Sequence, residues 1–407
     1  MTDPFDPFRP PQHVVDYNYT QWFTNLLEGD NVSLRKEDII KAAIEREPTQ
    51  KPPGELPPGF DILLENYLRE SDLSPVGRES VFFELVRCIA SRMVIDTTLT
   101  NHPEIKDQEI KRPLIIVGFP RTGTTLLHNL MCCYPGVRIP YFWEITGHTS
   151  LPPEQNQERI KNVDMAMEGF YGIVPKMRAI HNMKAMWPEE CVHLFQNSFF
   201  NPYFTLYAPL TSFFEYIMQA DATPHYQYYR LQLQYLQWKS PGAPWVLKSP
   251  MHMFYLDTLL EIFPDANVVM THRKPEEFLA SMCSMYAVMQ RVLTQSMKCD
   301  KIGAVQSHMM ETALDRAMAA RHKIPASQIL DINFRELVSN PLEMVKSIYS
   351  HFGYPEKEEH EQAMKAWLAE NQMHKHGAHK YSLEQFGLNS DDVRARFKGY
   401  TDQYLEN

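Results

Sequence analysis

Leu114-Ile-Ile-Val-Gly-Phe-Pro-Arg-Thr-Gly-Thr-Thr-Leu-Leu-His-Asn-Leu130 passes from a continuous apolar run, through a turn, into a helical pattern. The run at Leu114–Phe119 is short and rich in β-branched residues, as a strand covered on both faces must be. Comparable runs recur at Trp245–Lys248, Asn267–Thr271 and Ile329–Phe334, each followed by a helical pattern. Repeated strand-then-helix units predict parallel strands with helices on both faces, an α/β three-layer sandwich.

The turn carries the first chemical signal. Gly118 and Gly123 stand at the spacing of a phosphate-binding loop that opens a helix. There, backbone N–H groups and the helix dipole hold an anion. A nucleotide-hydrolysing loop would continue with Lys, but here Thr124 and Thr125 follow Gly123, and the positive charge sits inside the loop at Arg121. Such an enzyme also needs an acidic metal ligand on a later strand. The later strands instead end in Lys248 and in His272-Arg273. The loop is therefore expected to take a phosphate-bearing ligand without a metal. The plain alternative is a glycine turn that only joins strand to helix.

Arg273 falls at the C-terminal end of its strand, where open α/β sheets bind ligands, and Ser281 follows eight residues later on the next helix. A guanidinium fork and a hydroxyl together can grip a phosphate. The loop Phe119–Thr125, the strand end Leu247-Lys-Ser-Pro250, and Arg273 with Ser281 resemble the sulfotransferase superfamily. The likeness is nearest to the large microbial-type family with a PRSGTT-like loop, and residues about 112–352 carry it. Tyr381–Asn389 and Phe397–Tyr400 resemble that family's ending.

The resemblance implies 3′-phosphoadenosine 5′-phosphosulfate as donor. The loop (Arg121, Thr122, Gly123, Thr124, Thr125) would hold the 5′-phosphosulfate, and Arg273 with Ser281 the 3′-phosphate. Lys375 and Lys380 stand where related enzymes bring a late loop to that phosphate. Cytosolic relatives carry Lys in place of Arg121 and a KTHxP-type motif where this chain reads Lys248-Ser-Pro-Met-His252, so acceptor identity does not carry over. The division expected is an N-terminal helical cap at 1–110 and an α/β unit at 111–407, with a helical insertion at about 150–240 lining the acceptor site.

Transfer of a sulfonate group needs charge stabilisation and a base for the acceptor proton. Arg121 and Lys248 are the expected cations. His252 is the favoured base: Ser249-Pro250 reads as N-cap and N1, and a helix N-terminus keeps an imidazole neutral. Glu144, in Pro140-Tyr-Phe-Trp-Glu144, is its rival, with a salt bridge as its plain alternative. Glu189 and Glu190 would either shape the acceptor pocket or cap a helix. The aromatic stretch Phe199–Tyr216 is expected to wall that pocket, and the stripe Tyr228, Leu231, Tyr235, Trp238 to be core. His374, His376 and His379 lack an acid or thiol partner nearby, so no metal is expected.

Bulk properties narrow the class. A net charge of -10, with 40 Lys+Arg against 50 Asp+Glu, argues against nucleic-acid binding. None of the six cysteines forms a CxxC pair, no basic-then-apolar leader opens the chain, and no apolar run reaches membrane-spanning length. A cytoplasmic enzyme acting on a small organic or lipid-like hydroxyl is expected. Its rivals are a nucleotide kinase or NTPase with an altered loop and an inactive nucleotide-binding protein of the same fold.

Overall fold

The computed structural model describes residues 32–371 and 381–405. Four strands form one parallel sheet in the order β2-β1-β3-β4: β1 Leu114–Val117, β2 Val246–Lys248, β3 Asn267–His272 and β4 Ile329–Asn333. All four lie where the apolar runs predicted. Alternate residues feed opposite layers, since successive side chains on a strand point to opposite faces. Ile115, Val117, Leu247, Val268 and Met270 join one core, whereas Leu114, Ile116, Val246 and Val269 join a second. The α/β three-layer sandwich is thus present.

The second core is completed by helices α4 (Thr124–Met131) and α11 (Pro341–His351), through Leu127, Leu130, Val345 and Ile348. On the other face lie α9 (Pro275–Leu293) and α10 (Cys299–Arg321), nearly all buried along their inner sides. The first core runs on without interruption into α1 (Lys36–Arg46), α2 (Pro58–Glu70) and α3 (Pro75–Asn101). It also takes in the insertion helices α5 (Asn156–Ile173), α6 (Thr211–Gln219) and α7 (Thr223–Lys239).

Helix α1 begins at Lys36 without a side-chain cap. Arg35 is extended there, and its guanidinium bonds Asp38 at 2.8 Å. The chain breaks between α2 and α3, where Ser74 caps α3 by accepting from the Gly77 N–H and Pro75 takes N1. Ser74 also ties the break to the end of α9, donating to the Val292 carbonyl at 2.7 Å. All six cysteines are free thiols; Cys133 and Cys299 are half-buried and the rest buried. Among the described residues no helix is long and apolar enough to cross a membrane.

Candidate active site

The loop between β1 and α4 is held rigid by short contacts to β3. Thr122 Oγ1 donates to the Phe119 carbonyl at 2.7 Å and lies 2.6 Å from Thr271 Oγ1. A Cβ on Gly118 would stand 2.0 Å from Thr271 Oγ1, so only glycine permits this approach. Gly123, at φ 87°, enters α4 in the left-handed region. Arg121 is also left-handed, at φ 73°, a costly conformation for a side-chain-bearing residue and one that concentrates at functional sites. The first N–H groups of α4, those of Thr124 and Thr125 among them, have no partner inside the helix.

That backbone turn aims the Arg121 side chain across the loop. Its Nε donates to Ser281 Oγ at 3.0 Å and its Nη1 to the Ile180 carbonyl at 2.7 Å. Arg273 Nη1 donates to the Arg121 carbonyl at 2.6 Å, while its Nε pairs with Glu277 at 3.1 Å. The Arg273 guanidinium also covers the Phe334 ring at 4.1 Å. Arg121, Arg273 and Ser281 are therefore one cluster at the strand ends, with Arg121 as its hub.

The loop opens into a cavity of about 400 Å³ lined by Pro120, Arg121, Thr124 and Thr125 on one side. Its body is apolar, with Met167, Phe170, Met177, Met183, Leu206 and Met289 among its walls. Four titratable groups from one stretch, His181, Glu189, Glu190 and His193, also face it. The Glu189 N–H donates to the Pro140 carbonyl and the Cys191 N–H to the Lys248 carbonyl, both at 3.0 Å. The two acids are thereby clamped between the segment after α4 and the end of β2.

Their charges are matched one by one. His181 Nε2 lies 3.0 Å from Glu189 Oε2. Lys248 Nζ donates to Glu190 Oε1 at 2.6 Å, and Tyr203 donates to Glu190 Oε2 at 2.6 Å. Burial works against a charged His181, but the Glu189 carboxylate outweighs it and raises the pKa above the ordinary value. Burial likewise opposes the charge of Glu189, yet His181 and Lys248 hold it well below the usual carboxylate range. Glu190 is lowered too, because Lys248 overcomes both burial and the neighbouring Glu189 charge.

The base favoured on sequence, His252, and its rival Glu144 both lie outside the cavity wall. His252 is fully buried in the turn Pro250–Met253, with Nδ1 2.9 Å from the Tyr226 hydroxyl and Nε2 3.6 Å from Cys191 Sγ. Burial pushes its pKa down to about 3, and it does not line the cavity. Glu144 is locked to Arg138 by two bonds of 2.9 Å and is likewise absent from the cavity wall. Lys248 sits behind Glu190 and is only 1% exposed. Of the aromatic stretch, Tyr203 and Tyr207 face the cavity, while Phe199, Phe200, Phe204, Phe213 and Phe214 are core. Of the stripe on α7, Tyr235 is buried and Tyr228, Leu231 and Trp238 are half-buried. Lys375, Lys380 and the three histidines around them lie outside the described residues.

Comparison with known proteins agrees with this architecture, since the model of the sulfotransferase family matches residues 113–359. The chain belongs to the sulfotransferase family. It is similar to the omega-hydroxy-beta-dihydromenaquinone-9 sulfotransferase Stf3 of Mycobacterium tuberculosis, at 23% identity over 289 residues. That match covers 67% of this chain and 71% of the relative, and Stf3 of Mycobacterium bovis matches equally. The crystal structure of sulfotransferase STF1 from Mycobacterium tuberculosis H37Rv superposes with a TM-score of 0.79 at 29% identity. It covers 90% of this chain and 98% of its own. Sulfotransferase STF9 from Mycobacterium avium shares the fold, with a TM-score of 0.82 at 24% identity, covering 93% and 98%.

In this sulfotransferase the sequence reading missed His181 altogether and gave Glu189 only a choice of roles. The sole local signal was the pair of acids after Trp187-Pro188, with no pattern linking them to His181. The residue just before His181, Ile180, supplies the carbonyl that holds Arg121. Loop cation and imidazole are therefore joined through adjacent positions of the insertion.

Proposed function

We propose that the protein transfers the sulfonate group of 3′-phosphoadenosine 5′-phosphosulfate to the hydroxyl of a small organic or lipid-like alcohol. One observation carries the reading: the phosphate-binding loop and the His181–Glu189 pair open into the same apolar cavity. The α4 N-terminus and Arg121 would hold the 5′-phosphosulfate, and Arg273 with Ser281 the 3′-phosphate. The acceptor oxygen attacks sulfur in line, the bond from sulfur to the phosphate oxygen breaks, and 3′-phosphoadenosine 5′-phosphate leaves.

The acceptor proton goes to His181 rather than to His252 or Glu144. With Nε2–H given to Glu189, Nδ1 is the nitrogen left to accept it, and the carboxylate stabilises the imidazolium that forms. The apolar walls suit a largely apolar acceptor. The acceptor in the relatives' name, an omega-hydroxylated menaquinone, supports a lipid-like alcohol.

The test is binding of the spent donor in EDTA. At 100 times its dissociation constant it should add about 2.7 kcal/mol of stability. An unchanged melting temperature, together with a rise in ATP and Mg²⁺, would hand the protein to the kinase reading.

A further inference from the structure

The cavity wall does not end at Glu190. The chain continues into the short helix Val192–Gln196, which brings His193 and Gln196 onto the same wall. Gln196 ends that helix, six residues beyond Glu190. Helix α3, outside the family-matched segment, meets them there with Glu84 and Arg87.

The hydrogen bonds of this cluster leave a specific set of groups over. Arg87 is paired with Glu84 through Nε at 3.0 Å and Nη2 at 2.6 Å, and Nη2 also reaches Gln196 Oε1 at 3.3 Å. His193 Nδ1 lies 2.8 Å from the same oxygen and must donate to it, since a carbonyl oxygen only accepts. The Gln196 side chain is therefore oriented: its oxygen is spent on Arg87 and His193. Its amide nitrogen has no partner among the described residues, although Gln196 is only 5% exposed. Tyr207, on the same cavity, has a hydroxyl that makes no hydrogen bond among the described residues. Burial lowers the pKa of His193, which favours its neutral ring. The Arg87–Glu84 pair is neutral as a unit. What remains is a pair of unspent donors, the Gln196 amide and the Tyr207 hydroxyl, beside an ion pair that lines the same wall and whose Arg87 Nη1 is enclosed without a partner among the described residues.

A largely buried amide and a half-buried hydroxyl that line the cavity without protein partners are free to bond a ligand. We propose that Gln196 and Tyr207 form a second recognition point of the acceptor cavity, which takes an uncharged, hydrogen-bond-accepting oxygen such as a ketone. The preferred acceptor is then an amphipathic molecule, apolar in the middle, with the reacting hydroxyl at one end and a carbonyl at the other. The proposal rests on the sulfotransferase reading for the site but names its substrate class. Its neutrality disfavours a carboxylate at that point, because Glu84, Glu189 and Glu190 all face the same space.

The experiment compares 8-hydroxyoctan-2-one with 7-methyloctan-1-ol, in which a methyl branch replaces the carbonyl oxygen. Binding to the protein loaded with 3′-phosphoadenosine 5′-phosphate is measured calorimetrically, and turnover is measured with the donor. The hydroxyketone should bind at least about tenfold more tightly than its isostere, the scale of one to two hydrogen bonds to a buried site. Tyr207→Phe should shrink that ratio several-fold without lowering the melting temperature, since its hydroxyl has no protein partner to lose. Gln196→Met should shrink it as well, with spent-donor affinity reporting that the fold survives. Equal binding of the two alcohols to the wild-type protein, or a ratio unmoved in both variants, overturns the proposal. Discrimination in binding with no turnover of either alcohol would keep this subsite and sink the proposed reaction instead.

Discussion

The donor loop and the acceptor chamber are neighbours built in opposite ways. The loop is eight consecutive residues, Gly118 to Thr125, tied to β3 through Thr122 and Thr271, with only Arg121 reaching out to the insertion and α9. The chamber draws on α3, the segment after α4, two stretches of the insertion and α9. Its polar groups are positioned by partners far away in sequence, as Lys248 holds Glu190 and Arg87 holds Gln196. The loop can therefore recur wherever a short motif recurs, while the chamber is free to change its selectivity one wall at a time.

The comparison breaks first at His181, the point where chamber meets loop. His181→Ala should slow turnover by 10²–10⁴-fold, the usual cost of losing a general base. Affinity for the spent donor should stay as it is. Because imidazole accepts a proton only when neutral, the rate should fall as pH drops through the His181 pKa. That pKa lies above the ordinary value because of Glu189. Glu189→Gln removes the raising charge, so the acid limb should move to lower pH. A pH profile indifferent to Glu189→Gln, with His181→Ala still active, would return the base to another residue.

Glu144 tests whether the chamber's frame can fail without its chemistry failing. Glu144→Gln leaves the buried Arg138 uncompensated, which should cost on the order of 3–5 kcal/mol in denaturant unfolding. The folded fraction should still bind spent donor and turn over. Lost turnover at unchanged stability would make Glu144 the catalytic carboxylate after all.

Arg273 sharpens the donor side with the smallest effect. Arg273→Ala should weaken the spent donor by about 1.5–3 kcal/mol in calorimetric titration. The loss should be much smaller for an analogue lacking the 3′-phosphate, because the contact is then absent from both proteins. Equal losses would mean that Arg273 acts only by bracing the Arg121 carbonyl.

The sequence by itself determined the sheet and the loop. A strand buried on both faces must be a short apolar run, and a phosphate-binding turn must carry glycine where backbone approaches backbone, so both leave a local record at Leu114–Thr125. It also marked Arg273 and Ser281, because strand ends and helix starts were already legible. The proposed proton acceptor and the polar walls of the site were decided only by tertiary structure. His252 had the right local context, at the start of a turn after a strand, yet the packing of Tyr226, Phe195 and Cys191 encloses it. Glu144 and Arg138 are six residues apart, but only the burial of both makes them a closed pair. His181 carries no motif at all. Its proposed role depends on Glu189, eight residues on, and on the neighbouring carbonyl that holds Arg121, contacts that the fold of the insertion makes and no recurring motif encodes. A side chain's chemistry is set by what surrounds it, and in this chamber the surroundings come from segments more than a hundred residues apart, such as Arg87 and Gln196.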